Sequence, residues 1–337
     1  MLLNAAIRTW APMLIACAAC GWLPQPSRAA EPSGSVSRRF IAADSSRKTV
    51  AIINEDGTTA WSHAIGPLHD LHVLPNGNIL FQDSWTHVAE LDRASNRMVW
   101  QYDARTAPGN QGQRIEIHAF QRLDNGNTLV AESGRSRIIE LDATGQVVAE
   151  IPLKVSRSDA HRDTRLVRKL ATGHYLVCHE GDGIVREYAA DGRIVWEYAV
   201  PLFGRQPAKG HGVEAFGNQC FSALRLDNGN TLIGTGNGHS VIEVTPAGQV
   251  VWSLHQNELP GIQLAWVTSL QVLPGGNILI NNCHAGPDNP QLIEVNRLKQ
   301  VVWSFRDFER FGDALTNSQI LSVNGNDLPA AVPGHTR

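Results

Sequence analysis

Beyond its first 30 residues the 337-residue chain has no apolar run approaching the ~20 residues that a membrane-crossing helix needs, so no such helix is expected there. It also lacks an excess of positive charge. The 29 Lys and Arg stand against 32 Asp and Glu, a net charge of -3, which argues against a nucleic-acid partner. Cysteine is scarce, with five in all, and only Cys178, Cys220 and Cys283 lie beyond residue 30. An odd number of thiols in an oxidising compartment leaves at least one without an intramolecular partner. Cys220 with Cys283 is the first pair to test, and buried free thiols are the alternative. A compact metal motif such as HExxH is missing as well, so any metal site has to be assembled by the fold.

The N-terminus is where apolar residues concentrate. Arg8 precedes a stretch from Trp10 to Leu23, followed by Pro24 and Ser27-Arg28-Ala29-Ala30, the pattern of an export signal over residues 1–30 with cleavage after Ala29. A second reading is Leu14-Ile15-Ala16-Cys17, a lipobox-like run that makes 1–16 a lipoprotein signal and Cys17 a lipid anchor. Either way the protein is expected to be periplasmic or secreted, or an outer-membrane lipoprotein. Loss of Arg8 and Arg28, with no acid removed, moves the net charge to -5. Residues 31–39 read as a linker and 327–337 as a C-terminal tail.

Between them one short motif recurs. It reads Leu74-Pro75-Asn76-Gly77-Asn78, Leu123-Asp124-Asn125-Gly126-Asn127, Leu170-Ala171-Thr172-Gly173-His174, Leu226-Asp227-Asn228-Gly229-Asn230 and Leu273-Pro274-Gly275-Gly276-Asn277, with a worn copy at Val323-Asn324-Gly325-Asn326. The glycines at 77, 126, 173, 229, 276 and 325 are spaced by 49, 47, 56, 47 and 49 residues, close to the repeat length of propeller blades. Asn-Gly tolerates positive φ at both central positions, so each copy is expected to be a type I′ hairpin turn. An alternating segment follows, exemplified by Ala89-Glu90-Leu91-Asp92 and Ile139-Glu140-Leu141-Asp142, and suits a half-buried third strand. A Val/Ile-rich fourth strand then carries Trp61, Trp100, Trp196, Trp252 or Trp303, with Ala149 at the remaining copy. These rings are expected to pack between neighbouring units rather than to carry chemistry.

Four strands per unit and six units predict an all-β, six-bladed β-propeller over residues 40–326. Residues 40–64 supply only three strands, and Ser318-Gln319-Ile320-Leu321 is a strand with no blade of its own, so the C-terminal strand is expected to close the first blade and remove free sheet edges.

The repeat register also ranks the polar residues. Five positions before each turn leucine stand His69, His118, Arg165, Phe221 and Thr268, with Asn317 at the equivalent place before the closing strand. These are expected to share one ring at the channel mouth. The ends of the second strands, including Trp85, Glu132, Arg135, His179 and His284, should rim the same face. The longest spacing contains an insertion over 201–219 with Arg205, Lys209 and His211, which reads either as a lid or as a variable loop.

The Leu-Pro-Asn-Gly-Asn turn followed by Glu-Leu-Asp and Val-Val-Trp resembles bacterial quinoprotein-like (PQQ-repeat-like) propellers, in particular the branch related to arylsulfate sulfotransferases. The likeness runs over residues 40–323. Ile117-His118-Ala119-Phe120, leading to Glu132-Ser133-Gly134-Arg135-Ser136-Arg137-Ile138-Ile139, is similar to the segment that holds the sulfuryl group in those enzymes. The resemblance implies a sulfuryl-transfer site in which His118 and Arg135 bind sulfate oxygens and His179 is the nucleophile. His69, Arg165, Trp85, Glu132 and His284 are then candidate substrate contacts around a small anionic or phenolic ligand. No vicinal disulfide or acid cluster for a quinone is present, so no cofactor and no resident metal are expected. Two alternatives stand beside this reading: a metal-dependent lyase or hydrolase with zinc on His69, His118 and either His179 or His284, and a non-catalytic binding or assembly scaffold.

Overall fold

The computed structural model describes residues 36–329. The expected signal, lipobox and most of the linker and tail lie outside the described residues. All regular structure within them is β, in one five-stranded and five four-stranded antiparallel sheets. Blade 1 is formed by Arg38–Asp44, Thr49–Ile53 and Thr59–Ala64, joined by Leu315–Val323, which pairs with the first of these. A short strand Asn326–Asp327 extends that sheet, and the first strand begins two residues inside the expected linker. The remaining inner strands are Leu71–Val73 (blade 2), Glu116–Arg122 (blade 3), Val167–Lys169 (blade 4), Ser222–Arg225 (blade 5) and Trp266–Val272 (blade 6). Each is followed by three antiparallel partners in sequence order. Blade 6 packs against Leu315–Val323, so the ring is closed by the chain's last long strand, as the sequence predicts.

The recurrent turn departs from expectation in its type. At the first four copies only the glycine (Gly77, Gly126, Gly173, Gly229) has positive φ, between 83 and 85°. Gly77 N–H donates to the Leu74 carbonyl (2.8 Å) and Leu74 N–H to the Asn78 carbonyl (2.8 Å). This is a type I turn closed by a left-handed glycine, a three-residue loop and not a type I′ turn. Pro75 at the first central position fixes a negative φ that suits it. Asn76 stays at negative φ, and its Oδ1 accepts the Asn78 N–H at 3.0 Å.

The core is six separate seams, one between each pair of neighbouring blades. Trp61, Trp100, Trp196, Trp252 and Trp303 each pack against one seam and Ala149 against the sixth, as predicted. The motif glutamate adds an electrostatic clasp. Arg122 reaches from blade 3 to Glu90 of blade 2 (2.6 Å) while lying over Trp100 (5.1 Å). Arg225 repeats this on Glu187 (2.6 Å) and Trp196 (5.1 Å). Arg297 pairs with Glu243 over Trp252, Lys169 pairs with Glu140, and Arg38 pairs with Glu294 at 2.7 Å. The asparagine after the turn glycine holds the same carboxylates, with Asn78 on Glu90 (2.7 Å) and Asn277 on Glu294 (2.7 Å). Burial without a partner would be costly for these charges, so the periodic motif is one unit of mutual satisfaction.

All three cysteines beyond residue 30 are buried and free, so the Cys220–Cys283 pairing is not formed. The Cys220 thiol donates instead toward the Ile184 carbonyl (3.6 Å) in blade 4, whereas Cys283 donates toward the Asp313 carbonyl (3.7 Å) beside blade 1. The two thiols face different seams of the ring.

Candidate functional site

The inner strands lose their regular register where they reach one face. Pairing of Glu116–Arg122 with Thr128–Ser133 slips between Ile117 and Ala119, leaving His118 as the extra residue. Thr268 lies in a comparable slip between Val267 and Leu270, and Thr316 opposite the slip between Ala43 and Asp44. A bulge re-aims a side chain that regular alternation would send to a blade seam. His118 thereby meets His69 from the neighbouring blade, Nδ1 to Nδ1 at 2.7 Å.

The protonation pattern follows from the partners. His118 Nε2 lies 3.2 Å from the Ala160 carbonyl oxygen and 3.3 Å from Glu116 Oε2. Both accept only, so Nε2 carries the hydrogen and Nδ1 must accept from His69 Nδ1–H. His69 is left with its lone pair on Nε2. His161 Nδ1 donates to the same Glu116 Oε2 at 2.7 Å. Trp85 packs edge-on against His69, His118 and His161, with centroids 5.1–5.4 Å away.

Burial, reinforced by the Arg165 charge, lowers His118 to about 3 and holds His69 well below the usual imidazole range. Glu116 is the opposite case. Burial opposes its ionisation, but hydrogen bonds from His118 and His161 keep the carboxyl well below the ordinary range. The cluster is therefore a carboxylate with two buried neutral imidazoles, His69 and His118, near pH 7.

A cavity of about 150 Å³ opens beside it, with His69, His161, Arg165, Phe221, Trp266 and His284 in its walls. Arg165 NH1 donates to the His161 carbonyl, NH2 pairs with Glu180, and the guanidinium lies over the Phe221 ring at 5.5 Å. His284 is pushed down to about 4 by burial and by His211, whose ring sits 4.4 Å away. His211 comes from the 201–219 insertion, which thus lines the cavity. Below the mouth the channel axis is crossed by Asp70 and Arg168, paired at 2.8 Å and both buried.

The ring read from the repeat register is brought together: His69, Arg165, Phe221 and Thr268 line the cavity, His118 stands behind His69, and Asn317 Nδ2 donates to the His69 carbonyl at 3.1 Å. Trp85 and His284 also belong to it. Three expected residues do not. His179 is fully buried within blade 4, its Nδ1–H on the Asp163 carbonyl (2.7 Å) and its Nε2 accepting from the Tyr188 hydroxyl (2.8 Å). Both nitrogens are engaged, so no lone pair remains for a nucleophile. Glu132 is fully buried between blades 2 and 3, bonded to Tyr102, Asn110 (2.7 Å) and Arg137 (2.6 Å). Arg135 sits in the turn after Thr128–Ser133 and is not among the cavity residues.

Sequence reasoning missed Glu116, His161 and Trp266. Glu116 and Trp266 precede ring positions by two residues, so strand alternation was a usable signal. His161 lies in an irregular loop and carried none.

Among known proteins, residues 46–305 match the model of the PQQ-repeat family described as outer membrane protein assembly factor BamB. No curated protein matches the chain. A Bacteroides caccae protein of unknown function is 25% identical over 83% of this chain and 97% of its own, with a TM-score of 0.67. A streptogramin B lyase structure is 11% identical over 83% of this chain and 85% of its own, with a TM-score of 0.53. The virginiamycin B lyase of Staphylococcus aureus is 11% identical over 80% and 85%, with a TM-score of 0.52. At that identity the two lyases share the fold alone.

Proposed function

Because the chain belongs to the PQQ-repeat family described as outer membrane protein assembly factor BamB, a fold that serves scaffolds as well as enzymes, we propose from the mouth itself that it is an enzyme acting on a small anionic or phenolic substrate. The supporting observation is the 2.7 Å contact between His69 and His118, which with Glu116 forms a chain of hydrogen bonds ending in an unprotonated His69 Nε2 at the cavity. A scaffold has no use for a buried carboxylate linked through one neutral imidazole to a second at a cavity.

Sulfuryl transfer between phenols is the reaction named by the motif resemblance. His69 Nε2 attacks sulfur, the N–S bond forms as the ester S–O bond breaks, and the phenoxide leaves and takes a proton from solvent. His69 Nδ1–H passes its proton toward His118 and Glu116 as positive charge develops on the ring. An acceptor phenol then attacks sulfur as the N–S bond breaks, its own proton passing to solvent, and the proton held at Glu116 returns through His118 to His69 Nδ1. In this reading His69 replaces His179 as the nucleophile, and Arg165 replaces Arg135 as the cation beside the substrate. The work is done outside the cytoplasm, with the N-terminal segment removed after Ala29 or anchored through Cys17; mass measurement of the mature N-terminus separates the two.

A second reading has its own observation. Glu116, His118 and His161 each offer one ligand atom, all within 4.8 Å of one another, a three-donor set suited to a divalent metal with an open position. That supports a metal-dependent lyase or hydrolase, with Glu116 and His161 in place of the extra histidines expected from the sequence. Turnover of 4-nitrophenyl sulfate with a phenol acceptor, measured with the metal content of the purified protein, tests both. Metal-free protein that turns over the ester upholds sulfuryl transfer; stoichiometric zinc with no sulfuryl transfer overturns it in favour of the metal reading.

A further inference from the structure

Three residues in the walls of the cavity beside His69 carry a buried donor that no protein acceptor meets: the Trp266 indole Nε1–H, the Thr268 hydroxyl and the Arg165 Nε–H. All three residues are buried, at 9%, 2% and 3% exposure. A buried donor without a partner costs about 1–3 kcal/mol, and native interiors hold few of them. Three in the walls of one cavity call for an acceptor-rich group.

Their placement is built. Thr268 owes its direction to the slip in blade 6. Arg165 has NH1 on the His161 carbonyl, NH2 on Glu180 and Phe221 beneath its plane, which fixes the fork and leaves Nε over. Charge points the same way, since Arg162 and Arg165 face the single carboxylate Glu180 on that wall. The volume of about 150 Å³ is below the ~300–1,000 Å³ of pockets that enclose whole ligands. One compact group fits.

We propose that this cavity is an oxyanion subsite, with Trp266, Thr268 and Arg165 as donors to a sulfate, phosphate or carboxylate group of the substrate. The proposal deepens the reading of the mouth as a substrate site and rests on it. The oxyanion sits against Trp266 and Thr268, and the rest of the substrate lies outward, past the His211 and His284 pair.

Calorimetric titration of the full chain with sodium sulfate, sodium phosphate and sodium acetate, at ionic strength held constant with chloride, tests it. The wild type is expected to give saturable one-to-one binding for at least one of them. Sulfate and phosphate without acetate identify a tetrahedral group, and acetate identifies a carboxylate. Thr268→Val keeps the shape and removes the hydroxyl, and Trp266→Phe removes the indole N–H. Each is expected to weaken binding roughly tenfold, about the 1.4 kcal/mol of one hydrogen bond. Should Trp266→Phe fail to fold, Thr268→Val carries the test. Absence of saturable binding in the wild type, or unchanged affinity in the folded variants, overturns the subsite.

His69→Ala separates this from the catalytic reading. Retained sulfate affinity with lost turnover supports both. Retained turnover overturns the catalytic role of His69 while the subsite stands on its own titration.

Discussion

The two faces of this ring follow opposite rules. On the turn face the same parts recur: an asparagine and an arginine hold a glutamate, and a tryptophan ring lies beneath, as at Glu90 and Glu243. On the mouth face the set of groups changes from blade to blade. Blade 2 brings His69, blade 3 Glu116 and His118, and blade 6 Trp266 and Thr268. Repetition marks the positions that join blades. Its failure marks the positions that face a ligand, because a common ancestor blade cannot supply a different partner at each step around an asymmetric substrate.

The contrast breaks most sharply if His69 is dispensable. His69→Ala is expected to lower turnover by roughly 10²–10⁴-fold, the usual worth of a positioned acid, base or nucleophile, with the thermal midpoint little changed; steady-state rates and a melting curve together check it. Glu294→Ala should do the reverse. It strands Arg38, whose side chain is only 3% exposed, and urea unfolding is expected to show a loss of about 3–5 kcal/mol.

Acid should affect the protein next most strongly. His118 and His179 have folded-state values of about 3 and about 4, below that of a free imidazole. The unfolded chain therefore takes up their protons first. Their contribution is whole above pH ~6.5 and falls by up to about 1.4 kcal/mol per histidine per pH unit below it. Stability measured from pH 7 to 5 is expected to fall, and His179→Gln to flatten the slope by one proton. Val99→Thr, on an outer strand at 56% exposure, sets the floor: its effect should stay within about 0.5 kcal/mol by the same urea measurement.

Much of the fold was legible because its causes are local or periodic. The turn glycines, the alternating third strand and the tryptophan of the fourth recur with the blade, and the three-stranded start matched to an orphan last strand implied closure. The turn type was misread since Asn-Gly alone does not report loop length; Pro75 and the Leu74 to Asn78 pairing decide it. For the site, counting back from the turn leucine found His69, His118, Arg165, Phe221 and Thr268. Reading the ends of the second strands as the rim assigned His179 to the mouth, where strand alternation instead turns it into blade 4 against Tyr188.

What the sequence by itself determined is the ring: six similar units, their order and their closure follow from turn chemistry and hydrophobic alternation, which each segment carries within itself. Only the tertiary structure decided the mouth. Which histidine shares a proton with which, and which donors are left over, depends on register slips and on side chains about 50 residues apart in the chain, such as His69 and His118. A hydrogen bond across a channel leaves no period in the sequence.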